Sequence, residues 1–276
     1  MTFRKHFIPT TGHFAYCPAA VFLFFALTLL TAASCRAEHR GQASSVATSR
    51  SSAPPAGQAD LQKLRQWQAG AVVSRQAVER FGETRCFVAD TISNAIFKLM
   101  QGKSYKAGCP IPRSKLRYVK VLHINADGNI QLGEIVCHAD IASDLVSIFR
   151  KLYHAAYPIE RMLLIDRYGA EDRRSMEANN TSCFNYRVVA GTHKLSNHSQ
   201  GRAIDINPLY NPLVKRRKNG TLRVDPEKGR PYANRSGAFR YKISRNDLLY
   251  RLFKSHGFIW GGDWRSLKDY QHFEKP

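Results

Sequence analysis

Ser196-Asn-His198-Ser-Gln-Gly201-Arg-Ala203-Ile-Asp205-Ile-Asn207 decides how this chain is read. From Arg202 onward small or polar residues alternate with isoleucine, which predicts a strand carrying Ala203, Asp205 and Asn207 on one face and Ile204 and Ile206 on the other. Asp205 then points away from its apolar neighbours. His198 arrives just before the strand, and Gly201 permits a close backbone approach between the two. The end of the chain, Asp269-Tyr-Gln-His272-Phe-Glu274, adds a second imidazole and more carboxylate.

Zinc accepts neutral imidazole and carboxylate in a tetrahedral shell, and a hydrolytic site keeps one position for water, whose pKa then drops to about 7. His198, Asp205 and His272 fill three positions and leave the fourth open. Asp269 is the carboxylate left over to handle protons. A lone histidine is usually structural; two histidines and two carboxylates separated by small residues are hard to account for as packing.

Working outward, the elements predict an α+β domain in which helices pack beside a small antiparallel sheet. Ile92, Ile96, Leu99 and Met100 recur at helical spacing, with Asp90 or Thr91 as cap and Gly102 as stop. Tyr118 to Ile124, the Asp127-Gly128 turn and Asn129 to Leu132 read as a hairpin. Ile141, Leu145, Ile148, Phe149 and Leu152 form one face of a second helix, which Tyr157-Pro158 ends. Met162 to Ile165 reads as a short buried strand, and Pro208 to Tyr241 as a long basic loop that rims a cleft or is a solvated excursion. Ser244-Arg-Asn-Asp247 resembles a capping box and opens a helix bearing Leu248, Leu249, Leu252 and Phe253. Phe258 to Trp260 and Gln271 to Glu274 are strands, with Gly261-Gly262 a turn between them.

The amino terminus is read separately. Arg4, Lys5 and His6 precede an apolar run from Ala19 to Ala33 that falls short of the ~20 residues a spanning helix needs and has the flanks of a secretory signal. Leu30-Thr-Ala-Ala-Ser-Cys35 resembles a lipobox, so residues 1–35 are expected to be a signal with lipid attached at Cys35, and Arg36 after it leans towards the outer membrane. Residues 36–60 are rich in Ser, Ala, Gln, Gly and Pro and are expected to be a flexible tether, with one domain over 61–276. Cys86, Cys109, Cys137 and Cys183 remain after Cys17 and Cys35 are set aside, and in an exported chain an even number predicts two disulfides.

The formal net charge is +21, from 42 Lys and Arg against 21 Asp and Glu. It is spread along the chain, with Lys215-Arg-Arg-Lys218 the only dense run, and favours anionic partners without choosing one.

Ser196-x-His198-x-x-Gly201-x-Ala203-x-Asp205, Trp260-Gly-Gly-Asp-Trp264 and Asp269-Tyr-Gln-His272-Phe-Glu274 together resemble the VanY-type zinc peptidases. That family contains D-alanyl-D-alanine carboxypeptidases and L-alanyl-D-glutamate endopeptidases of bacterial and phage origin, which cleave peptidoglycan peptides. The resemblance is good over residues 160–276 and poor over the preceding hundred. It implies one zinc ion held by His198, Asp205 and His272, and Asp269 as the general base. Many relatives use glutamate as the base, so aspartate points towards the endopeptidase branch. The family also places an arginine upstream of the first histidine to hold substrate and stabilise an oxyanion; Arg187 is the candidate, with Arg167 and Arg173 as rivals.

Ser196 is expected either to bind substrate or to orient His198. Trp260 suits core packing, and Asp263 suits a turn. Two other classes compete. One is a non-catalytic cell-wall-binding lipoprotein with a structural zinc. The other is a secreted nuclease using His198, Asn207 and Asn211, which explains the charge but leaves Asp269 and His272 idle, so no nucleic-acid partner is expected.

Overall fold

The apolar periodicity around residue 145 produces the element on which the rest is built. In the computed structural model, which describes residues 56–188 and 194–276, that stretch is a helix whose face of Ile141, Leu145, Ile148, Phe149 and Leu152 is buried in the main core. Burying each such side chain contributes about 1.5–3 kcal/mol, so this face anchors the domain.

In chain order the elements begin with α1 (Ala56–Gln66), α2 (Arg75–Phe81), β1 (Val88–Thr91) and α3 (Asn94–Met100). β2 (Leu116–Ile124) and β3 (Ile130–His138) form the expected hairpin, its second strand running past the expected end at Leu132 to lead directly into α4 (Ala139–His154). Then come β4 (Arg161–Met162), α5 (Asp172–Glu177), β5 (Asn180–Thr181) and β6 (Ala203–Asp205). β7 (Leu213–Arg216), β8 (Leu222–Asp225), α6 (Leu248–Ser255), β9 (Ile259–Trp260), β10 (Lys268–Asp269) and β11 (His272–Glu274) complete the chain.

The α+β class is as expected. The strands are divided among three antiparallel sheets, ordered β1-β2-β3, β10-β7-β8 and β6-β11-β9, with β4 and β5 a parallel pair. α4 follows β3 directly and shares its core with β2, while Phe149 meets Phe253 of α6 edge-on at 6.5 Å. Phe253 stacks in turn against Phe273 of β11 at 4.5 Å, which ties the long helix to the strand bearing His272.

Local signals were resolved in detail differently from the sequence reading. α3 is capped by Ser93, whose hydroxyl accepts from Ile96 N at 3.3 Å, because Asp90 and Thr91 are taken up in β1 paired with β2. α6 is capped by Asp247 and not by Ser244; its carboxylate accepts from Leu249 N at 2.8 Å and from the Tyr157 hydroxyl at 2.9 Å. The strand expected over 162–165 stops at Met162, and Ile165–Tyr168 is a 3-10 turn. α1 opens at Ala56, inside the expected tether, because Asp60 pairs with Lys63 and accepts from Ser74 N while Leu64 enters the core.

The expected disulfides are not formed: Cys86, Cys109, Cys137 and Cys183 are free thiols. Three are buried and behave as small apolar side chains, with burial pushing the Cys86 thiol up to about 11 and Cys137 and Cys183 higher still. The signal segment, Cys17, the lipobox and Cys35 lie outside the described residues.

Most of the stretch from Pro208 to Tyr241 is ordered. β7 and β8 make a hairpin pinned to β10, and a 3-10 turn spans Glu227–Tyr232. Asn211 and Arg235 fasten its base: the Asn211 amide donates to Asn207 O and Tyr241 O, and Arg235 donates to Asn211 Oδ1 and Ile243 O. Asn207 likewise spends its side chain on Pro158 O and Glu160 N. The asparagines that suggested nuclease chemistry hold backbone together.

Candidate metal centre

His198 sits in the 3-10 turn Asn197–Gln200, capped by Ser196, whose Oγ accepts from His198 N at 3.3 Å. Gly201 ends the turn at φ 68°, and its carbonyl receives His138 N at 2.8 Å. A Cβ on Gly201 would lie 2.7 Å from His138 N, so the residue is glycine both for its backbone angle and for the contact. That contact locks the turn against the end of β3.

Asp205 and His272 are directly opposed across β6 and β11, so strand register alone brings them together. His272 Nδ1 lies 3.0 Å from Asp205 Oδ1, and His198 Nε2 lies 3.3 Å from Asp205 Oδ2. One ligand atom from each of the three buried side chains falls within 4.8 Å of the others, the arrangement a single cation requires.

The outer nitrogens are also fixed. His198 Nδ1 is 2.6 Å from Cys183 O, which makes it the protonated nitrogen and leaves Nε2 with its lone pair facing Asp205. His272 Nε2 is 3.0 Å from Glu274 Oε2, leaving Nδ1 to face inward. Asn197 donates to the same Glu274 oxygen, so the carboxylate that orients His272 is itself held by the turn carrying His198. Burial acts to raise the Asp205 carboxyl, but the two imidazoles hold it well below the usual range. His272 is raised to about 10 by Asp205 and Glu274 against the opposing effect of burial. The pocket thus favours positive charge at its centre, which is what a dication would supply.

Asp269 belongs to β10 and is buried beside the triad. Burial, reinforced by the charge of Asp205 and opposed by His272, pushes its carboxyl up to about 7. Its Oδ1 is buried without a hydrogen-bond partner, an unusual cost for a carboxylate that serves only to pack. The main chain passes Gly261 so closely that a Cβ there would lie 2.6 Å from Asp269 O and 2.8 Å from Asp269 Cβ.

These residues line a cleft of about 670 Å³. Arg187 is on its wall with its Nε paired to the Asp172 carboxylate, which also accepts from Asn185 at 3.0 Å. The Arg187 main chain is tied to Ser196 and Ser199, next to His198. Arg173 also reaches the cleft, whereas Arg167 is taken up by buried Glu134 at 2.8 Å. Ser196 lines the cleft, but its hydroxyl is engaged by the His198 turn, favouring the orienting role. Trp264 lies 5.3 Å ring to ring from His272, while Trp260 is in the core donating to Tyr270 O, and Asp263 pairs with Arg245 at 2.8 Å.

Three contributors were missed by sequence reasoning. Glu274 was legible, since residues two apart on a strand share a face and place it beside His272. Gly261 carried a turn signal but nothing about its contact with Asp269, and Cys183 acts through a carbonyl that its side chain does not advertise.

Residues 190–275 match the family model for D-alanyl-D-alanine carboxypeptidase, which bears out the resemblance read from the three motifs and marks this part of the chain as peptidase-like. No curated protein and no solved structure gives a significant match.

Proposed function

We propose that this chain is a zinc-dependent hydrolase of peptide bonds in peptidoglycan stem peptides. The single observation that carries the reading is the meeting, in one buried cluster, of His198, Asp205 and His272 with an unpartnered Asp269 oxygen alongside. A purely structural metal site is closed by protein ligands, whereas this one has three and a cleft in front of it.

When bound, zinc supplies Lewis acidity that acidifies water and polarises a carbonyl. His198, Asp205 and His272 hold it, and Cys183 O and Glu274 keep the correct nitrogen of each imidazole turned inward. Asp269 takes the proton of the attacking water and delivers it to the departing amine, a role suited to a carboxyl whose pKa lies near neutrality. Arg187, fastened through Nε to Asp172, offers its remaining donors to the carbonyl oxygen as negative charge develops there. An aspartate as base favours the L-alanyl-D-glutamate bond, while the matching family model is described by the D-alanyl-D-alanine activity.

The test is incubation of the zinc-loaded protein with tetrapeptide and pentapeptide muropeptides, with products weighed by mass spectrometry and a chelator control. Loss of one D-alanine assigns a carboxypeptidase and a cut after L-alanine an endopeptidase. Tight binding without turnover in the metal-loaded protein would instead favour the cell-wall-binding reading. The amino-terminal signal and Cys35 support placing the enzyme in the cell envelope, tethered by lipid, where this substrate is found.

A further inference from the structure

Beside the metal cleft lies a second cavity of about 430 Å³. Arg173 from α5, Arg217 from the β7–β8 turn, Arg223 from β8 and Arg230 from the following 3-10 turn all face it. Two carboxylates share the space. Asp225 is 3.2 Å from Arg223, and Glu227 holds Arg230 through two nitrogens. Four guanidinium groups against two carboxylates leave the cavity with excess positive charge; Arg230 clasps Glu227 and lowers the pKa of its carboxyl, and the charge of Arg173 and Arg217, both exposed, helps to lower it further. Arginine forks gathered from separate elements around a concave site suit a planar oxyanion better than they suit open solvent.

The cavity adjoins the metal cleft, because Arg173, Arg223 and Asp225 line both. Strand register gives the scale. Asp269 of β10 pairs with Leu213 of β7, and Leu213 pairs with Asp225 of β8. Two strand spacings of ~4.8 Å put the main chain of Asp225 about 10 Å from that of the proposed base, with Arg223 two residues along β8 on the same face. An extended peptide advances ~3.3 Å per residue, so the arginines stand roughly three to four residues from the reacting bond.

We propose that this cavity is a carboxylate-binding subsite that holds a free carboxylate of the substrate peptide three to four residues from the bond that is cut. It rests on the peptidase reading given above and adds to it a length and charge requirement: short or neutral peptides leave the arginines unused. The hairpin that carries the subsite is hydrogen-bonded to the strand that carries Asp269, so a carboxylate anchored there fixes the peptide relative to the base.

The experiment compares two peptides that differ only in whether the side chain at that distance is a carboxylate or its carboxamide. Their affinities are measured by calorimetry on full-length, zinc-loaded protein and on an Arg173→Gln/Arg217→Gln variant, and their turnover is followed in parallel. The acid is expected to bind wild type about tenfold more tightly than the amide, as one charge-assisted contact predicts, and the variant to bind both alike. In the wild type the same difference between acid and amide is expected in KM, with the two peptides sharing one kcat. Equal affinities of acid and amide for the wild type would overturn the subsite even if both are hydrolysed. An acid preference that the double variant abolishes, with no hydrolysis of either peptide, would keep the subsite and reject the peptidase reading.

Discussion

At Asp269, burial has pushed the carboxyl up to about 7, so below that pH the side chain is a neutral acid and cannot accept a proton. Activity is therefore expected to rise with pH through a limb near 7, moved lower to the extent that a cation in the triad stabilises the carboxylate. Asp269→Asn should lower kcat by about 10²–10⁴-fold and erase this limb while leaving zinc bound, a result read from pH–rate profiles and metal content together. Glu274→Gln should weaken zinc affinity by about 10–100-fold by loosening the hold on His272, measured by competition with a chromogenic chelator. At this scale the sequence was most informative for residues whose chemistry is in the side chain. His198, Asp205, His272 and Asp269 are types that commonly carry chemistry, but their spacing alone does not show that they converge; the structure brings ligand atoms of the first three within 4.8 Å of one another and buries Asp269 in the same cleft. Cys183 contributes only a backbone carbonyl, which no residue type reveals.

Among the elements, the short strands β6, β10 and β11 place the cluster, and each is too brief to be held by its own pairing. They depend on close contacts with neighbours, most plainly at Gly261. A methyl group there must displace the Asp269 main chain, so Gly261→Ala is expected to destabilise the domain by about 1–3 kcal/mol and to reduce activity more than stability alone explains, checked by urea unfolding and by kcat on the folded fraction. Helix α4 was legible because its period-3.6 pattern ran long enough to be unambiguous, whereas β3 was legible only as far as Leu132, since both hairpin strands are buried on both faces over much of their length and carry no clean alternation. Caps were harder: Ser93 and Asp247 displaced the candidates chosen from sequence because neighbouring residues had already been drawn into strand pairing or turns. The β7–β8 hairpin escaped notice because its strands are basic and half exposed, without the apolar alternation that marks a strand.

For the whole molecule, the α+β class followed from its elements, but the division into three small sheets did not, since pairing between distant strands such as β6 and β11 leaves no local trace. The cysteines show the same limit. An even count, taken with the expectation of export, suggested pairing, while the fold uses three of them as buried apolar side chains. Residues 1–35 bear on where the proposed enzyme would work. If Cys35 carries lipid, Cys35→Ala should move the protein from the membrane fraction to the soluble fraction, seen by fractionation and immunoblotting, and an unchanged distribution would reject the tether. The central claim, that the buried cluster is a hydrolytic zinc site acting on stem peptides, is tested most directly by mass spectrometry of muropeptides after incubation with the zinc-loaded protein and with Asp269→Asn. Chelator-sensitive cleavage at a single stem-peptide bond by the wild type, lost in the variant, is the predicted result; intact muropeptides with zinc bound in both proteins would contradict it.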